Sequence, residues 1–163
     1  MDYLTFTFVP LVLVWRLQWL PSPVGVWPAL AMVASLFGFA NTGAKQEGAG
    51  FFRGFPSYWN VFAFYTGLWV PHYGPVLPAV VLVLLAVCTV VPVRFLYPNL
   101  APRPWRGLLV VGAFAWVGLL LIMLPHFPGV PPWLVGVSLV YPGVYTGLSV
   151  YLDLATRTRQ PRA

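Results

Sequence analysis

Acidic side chains are nearly missing from this sequence: Asp2, Glu47 and Asp153 stand against nine Lys and Arg. Charged residues of both signs make up 7% of the 163 residues and hydrophobic ones 60%. A soluble domain carries about a quarter charged residues, so a chain this poor in charge cannot cover a water-facing surface. Cysteine is scarcer still. The lone Cys88 lies in an apolar run, which excludes an intrachain disulfide and a thiolate metal cluster. His72 and His126 sit beside prolines, with no zinc-site spacing and no nucleophile triad. No basic residue precedes Leu4, so the start of the chain is not expected to be a secretory signal.

What is present is apolar sequence in long runs. Six of them cover residues 4–20, 24–40, 56–70, 76–93, 108–124 and 133–152. About 20 residues of helix cross a bilayer, with roughly 17 to 25 tolerated. Runs without alternation do not describe the wall of a barrel. The expected fold is therefore all-α: one domain over residues 1–163, a polytopic transmembrane bundle of about six spans. Prolines mark the connections, with Pro21 and Pro23 in the first, Pro71 and Pro75 in the third, and Pro125, Pro128, Pro131 and Pro132 in the fifth. Pro10, Pro28 and Pro142 fall inside runs and are expected to kink them. Gly112, Gly118, Gly136, Gly143 and Gly147 are expected where helices pack closely.

The net charge of +6 does not point to nucleic acid, because the basic residues are scattered between apolar runs instead of forming one dense face. Their distribution fits membrane topology. Lys45 and Arg53 lie in the second connection, Arg94, Arg103 and Arg106 in the fourth, and Arg157, Arg159 and Arg162 in the tail. The first, third and fifth connections carry no Lys or Arg. Basic residues stay on the cytoplasmic side, so both termini and the even connections are expected there. All three carboxylates then share that face. Arg16 departs from the pattern, and its long side chain can reach the opposite headgroups.

On that face the polar stretch 41–60, NTGAKQEGAGFFRGFPSYWN, is the richest candidate. Glycine lets backbone approach a phosphate, and Lys45 and Arg53 can pair with its oxygens. The same residues suit a plain loop with topology-setting charges, and no P-loop pattern is present. Asp2 fits a helix cap as well as a functional carboxylate. Tyr3, Tyr58 and Trp59 could form part of a cage for a quaternary ammonium through cation–π contacts, although most aromatics in such a chain anchor the membrane interface.

Four segments carry a resemblance: DYLTFTFVP at 2–10, FGFANTGAK at 37–45, GFPSYWNVFAFY at 54–65 and VVPVRFLYP at 90–98. Their order and spacing resemble bacterial phosphatidylcholine synthases, members of the CDP-alcohol phosphatidyltransferase superfamily, over essentially the whole chain and more loosely after Pro98. The superfamily signature reads Asp-Gly-x-x-Ala-Arg, eight residues, then Gly-x-x-x-Asp-x-x-x-Asp. Asp2, ahead of Tyr3-Leu4-Thr5, matches its final position. The earlier aspartates and the signature arginine have no counterpart here.

The resemblance implies transfer of the phosphatidyl group from CDP-diacylglycerol to choline, giving phosphatidylcholine and CMP. It implies Asp2 as general base for the choline hydroxyl; by membrane side and residue type, Asn41, Lys45, Arg53, Tyr58 and Arg94 are the candidates for binding substrate. It further implies Mg²⁺ or Mn²⁺ around the diphosphate, with the ligands absent from this chain, a bacterial inner-membrane location, and a possible homodimer. Without those ligands the chain by itself is expected to be inactive, either because its frame extends upstream of Met1 or because it is a degenerate copy. The alternative is a non-catalytic membrane protein that binds lipid or a partner. A small transporter fits less well, because the acidic residues lie near one surface and not at the midplane.

Overall fold

The computed structural model describes residues 2–40, 45–46, 51–91, 94–97, 100–101 and 103–159, with backbone alone at 45–46, 51–53 and 156–159. It is built almost entirely of helices: α1 (Leu4–Arg16), α2 (Val26–Ala40), α3 (Trp59–Tyr73), α4 (Val76–Val90), α5 (Arg103–Met123), α6 (Pro132–Ser138) and α7 (Val140–Arg159). Two stretches are long and apolar enough to cross a membrane, Arg103–His126 and Pro132–Ala155, each of 24 residues. The other four expected spans are helical but shorter. At 1.5 Å per residue, a 15-residue helix reaches about 22 Å, less than a hydrocarbon layer of roughly 30 Å.

Proline acts differently at each position. In α1 the first turn is a π-helix, Leu4–Phe8, with the Val9 N–H reaching back to the Leu4 carbonyl. Pro10 follows at once and has no N–H to give Phe6. The third run was expected to stop before Pro71, yet α3 continues to Tyr73 with Pro71 in its last turn. The stop is Gly74, at φ +71°, whose N–H bonds the Val70 carbonyl. Toward the end of the chain, Pro142 cannot donate to Ser138, four residues back, and α6 separates from α7 at Leu139. That freed carbonyl has a partner. The Tyr65 hydroxyl lies 3.2 Å from the Ser138 carbonyl and 3.0 Å from its Oγ, and the Trp116 indole N–H donates to Tyr65 at 3.2 Å.

The main core lies among α1–α4. Leu11 and Val14 of α1, Ala31 and Ala34 of α2, Trp59 and Phe62 of α3, and Leu82 and Ala86 of α4 form one buried cluster. Alanines on α2 and α4 let these two helices make the most extensive pairing in the bundle. Gly67 on α3 is closely surrounded: a Cβ there would lie 2.3 Å from the Phe127 ring and 2.7 Å from Trp19. Of the five glycines expected at helix contacts, Gly112 is at one, where a Cβ would fall 2.8 Å from the Tyr141 ring. Gly118, Gly136, Gly143 and Gly147 meet nothing within 4 Å.

A small antiparallel sheet was not anticipated. It consists of β1 (Lys45–Gln46), β2 (Phe51–Arg53) and β3 (Arg94–Leu96) in that order. Its register pairs Lys45 with Phe52, Phe52 with Phe95, and Arg53 with Arg94. The turn after β2 docks on the end of α4, where the Phe55 N–H bonds the Cys88 carbonyl at 2.9 Å. Gly54 makes this possible at φ +90°, since a Cβ would lie 2.8 Å from the Thr89 carbonyl oxygen.

Candidate functional site

The sheet caps one end of the bundle, and most of the residues singled out from the sequence gather there. Lys45, Arg53 and Arg94 occupy its three strands, with Arg53 and Arg94 opposite each other. Tyr58, five residues after Arg53, is the N-cap of α3 and is 49% exposed. Its ring centroid is 6.4 Å from that of Phe6, so the start of α1 is brought to the same end. Tyr3 fixes that start by donating to the Met32 carbonyl at 3.2 Å and meeting Phe39 edge-on at 5.7 Å. Asp2 precedes it, exposed to its surroundings. Asn41 and Glu47 lie outside the described residues.

Trp59 does not join a cation cage. It is fully buried, and its indole N–H donates to the Ser35 hydroxyl at 2.7 Å. Tyr3 is engaged with α2, as above. Of the three aromatic residues considered for a quaternary ammonium, Tyr58 alone presents an open face.

Helix α7 supplies what sequence reasoning missed. Tyr141, Tyr145, Ser149 and Asp153 recur every four residues and so share one face of the helix. Tyr141 donates to the Leu109 carbonyl at 2.9 Å. Tyr145 donates to the Leu96 carbonyl at 2.8 Å, and the Leu96 N–H donates to Ser149 Oγ at 3.2 Å. Asp153 Oδ1 accepts from Arg94 Nε at 2.5 Å, with the two side chains 6% and 20% exposed. From Tyr145 to Asp153 the stripe thus covers β3, and Tyr141 ties it to α5. A run of polar residues at helical spacing inside an apolar segment was the available signal. Above it, the rings of Phe95, Tyr145, Tyr141 and Trp116 stack in series at 6.4, 6.5 and 5.7 Å.

In chemical terms this end has a lysine and two arginines at strand positions of a short sheet and, among the described residues, the exposed Asp2 carboxylate and Tyr58 phenol. Such a set can hold a phosphate oxyanion and accept a proton. Among the described residues, no three of His, Cys, Asp and Glu lie together. The donors among the described residues do not make a site for the divalent ion that the resemblance implies.

The chain is largely helical and apolar, with two stretches long enough to cross a membrane, and comparison with known proteins narrows its class. The phosphatidylcholine synthase of Pseudomonas aeruginosa is 33% identical over 132 residues, 76% of this chain and 52% of that protein. Those of Rhizobium meliloti and Legionella bozemanae are 32% and 26% identical, over 88% and 92% of this chain and 58% and 71% of theirs. The chain belongs to the phosphatidylcholine synthase family. It spans between about half and seven-tenths of the length of these relatives. No family model matches the chain, and no solved structure matches it significantly.

Proposed function

We propose that this chain provides the headgroup end and membrane body of a phosphatidylcholine synthase. Choline oxygen attacks the phosphorus that carries diacylglycerol in CDP-diacylglycerol. A new P–O bond forms, the bond to the bridging oxygen breaks, and CMP leaves. Asp2 takes the choline hydroxyl proton. Lys45, Arg53 and Arg94 hold phosphate oxygens, Asn41 contacts the substrate, and Tyr58 offers its ring to the trimethylammonium. The single observation that carries this reading is the gathering of Asp2, Tyr58 and the three-stranded cationic cap at one end, in a chain whose relatives are named phosphatidylcholine synthases.

In the same reading the helices make six crossings of a bacterial inner membrane. The sheet end and both termini face the cytoplasm, where CMP is released, and two copies pair as a homodimer. Mg²⁺ or Mn²⁺ is required for turnover and is held by residues other than those described. The 163-residue chain alone therefore gives no turnover.

The test is choline-dependent CMP release from CDP-diacylglycerol with Mn²⁺ in nanodiscs. The chain alone is expected to release none. A fusion carrying a relative's signature segment ahead of Asp2 is expected to release CMP, and Asp2→Asn in that fusion to abolish it. A silent fusion that is folded would favour the second reading, a non-catalytic lipid- or partner-binding protein. The observation that speaks for that alternative is that no group of three potential metal ligands occurs among the described residues.

A further inference from the structure

We propose that Asp153 is a positioning residue for anion recognition, holding the Arg94 guanidinium in place to receive a phosphate oxyanion at the sheet. The proposal rests on the reading of this sheet as phosphate-binding. Three observations lead to it. First, β3 is already secured without any charge, because Tyr145 and Ser149 satisfy the Leu96 carbonyl and N–H. An ion pair is not needed to hold the strand; what it adds is the orientation of one side chain.

Second, the Asp153 side chain is buried, at 6% exposure. A buried carboxylate is tolerated when a cation compensates it with good geometry, and one arranged on Nε fixes the plane of the guanidinium. Third, Arg94 and Arg53 stand opposite each other in the ladder. Like charges directly across a strand pair are destabilising. Asp153 is bonded to the Arg94 member of this rung. A rung of two arginines is suited to a bound anion, whose phosphate would come from a nucleoside diphosphate or from a lipid headgroup.

The experiment uses the full chain in nanodiscs with two probes: CDP in solution, and phosphatidic acid in the disc. Asp153→Asn keeps the shape and one hydrogen-bonding oxygen while removing the charge. It is expected to weaken binding of the recognised probe about tenfold and to lower the melting temperature, because Arg94 loses its buried partner. The exchanged pair, Arg94→Asp with Asp153→Arg, is expected to recover stability without recovering affinity. Binding of CDP but not phosphatidic acid identifies the nucleotide as the source of the phosphate, and the reverse identifies the lipid. Unchanged affinity in Asp153→Asn overturns the positioning role while leaving a phosphate-binding sheet intact. So does an exchanged pair that regains both stability and affinity, which would make the contact purely structural. Wild-type protein that binds neither probe removes the phosphate reading and this role with it.

Discussion

Helices α1–α4 and the two long stretches after them bury apolar surface within the chain to different degrees, although α1, α2 and α4 also leave side chains such as Val9, Val33 and Leu84 exposed. The first four are short and bury Leu11, Val14, Trp59, Phe62 and Leu82 against one another. In the later pair, 11% of the apolar window of Arg103–His126 and 17% of that of Pro132–Ala155 are buried inside the chain. On α5 the buried residues are Leu109 and Met123, while Phe114 is 76% exposed. Apolar surface of that extent is stable only against an apolar surrounding, a lipid phase or another protein face. The lesson is that hydrophobicity alone does not distinguish a residue that packs within the chain from one that meets the environment. Size and neighbours do. Alanines and a buried tryptophan mark the first region; evenly spread Leu, Val and Phe mark the second.

Three substitutions would break or sharpen this contrast. The largest effect is expected from Trp59→Ala, which empties the centre of the α1–α4 core and leaves Ser35 without its indole donor. A loss of about 3–5 kcal/mol is anticipated from such a truncation. It is read as a marked drop in melting temperature in detergent; an unaltered value would mean that this core is not where stability resides. Next is Tyr65→Phe, which removes the hydroxyl shared by Trp116 and Ser138. A cost of about 1–3 kcal/mol follows from leaving buried polar groups unbonded, and melting curves of Tyr65→Phe beside Ser138→Ala would test whether the two losses overlap. Smallest is Phe114→Ala, expected within about 0.5 kcal/mol because the ring touches little of its own chain. A large drop there would reveal a protein partner on the α5 face.

Much of the helical layout was readable from the apolar runs, and the break points less so. Pro71 was taken as a stop but is absorbed in a final turn, where the lost bond is one of those a helix end gives up anyway. Pro142 acts four residues upstream, and the result depends on a tyrosine 77 positions earlier in the chain. The sheet gave no signal, because strands of two or three residues are too short to show alternation. The candidate site was partly visible. Charge distribution singled out Lys45, Arg53 and Arg94, and the structure brings their strands together. The α7 stripe was missed because Tyr141 and Tyr145 pass for membrane-interface aromatics and Asp153 for a terminal charge. Their common face appears only when positions four apart are compared. Trp59 was misjudged for a related reason: a sequence does not say which side of a helix start faces inward.

Where Pro142 interrupts the helix, a side chain from α3 takes over a bond that backbone would normally make. The joint is therefore keyed from outside, like a hinge with its pin in place. Any swing of α7 that carried its far end off β3 would first have to withdraw that pin from the middle of the bundle. A motion of the cap is coupled in this way to a hydroxyl buried about two turns along α3.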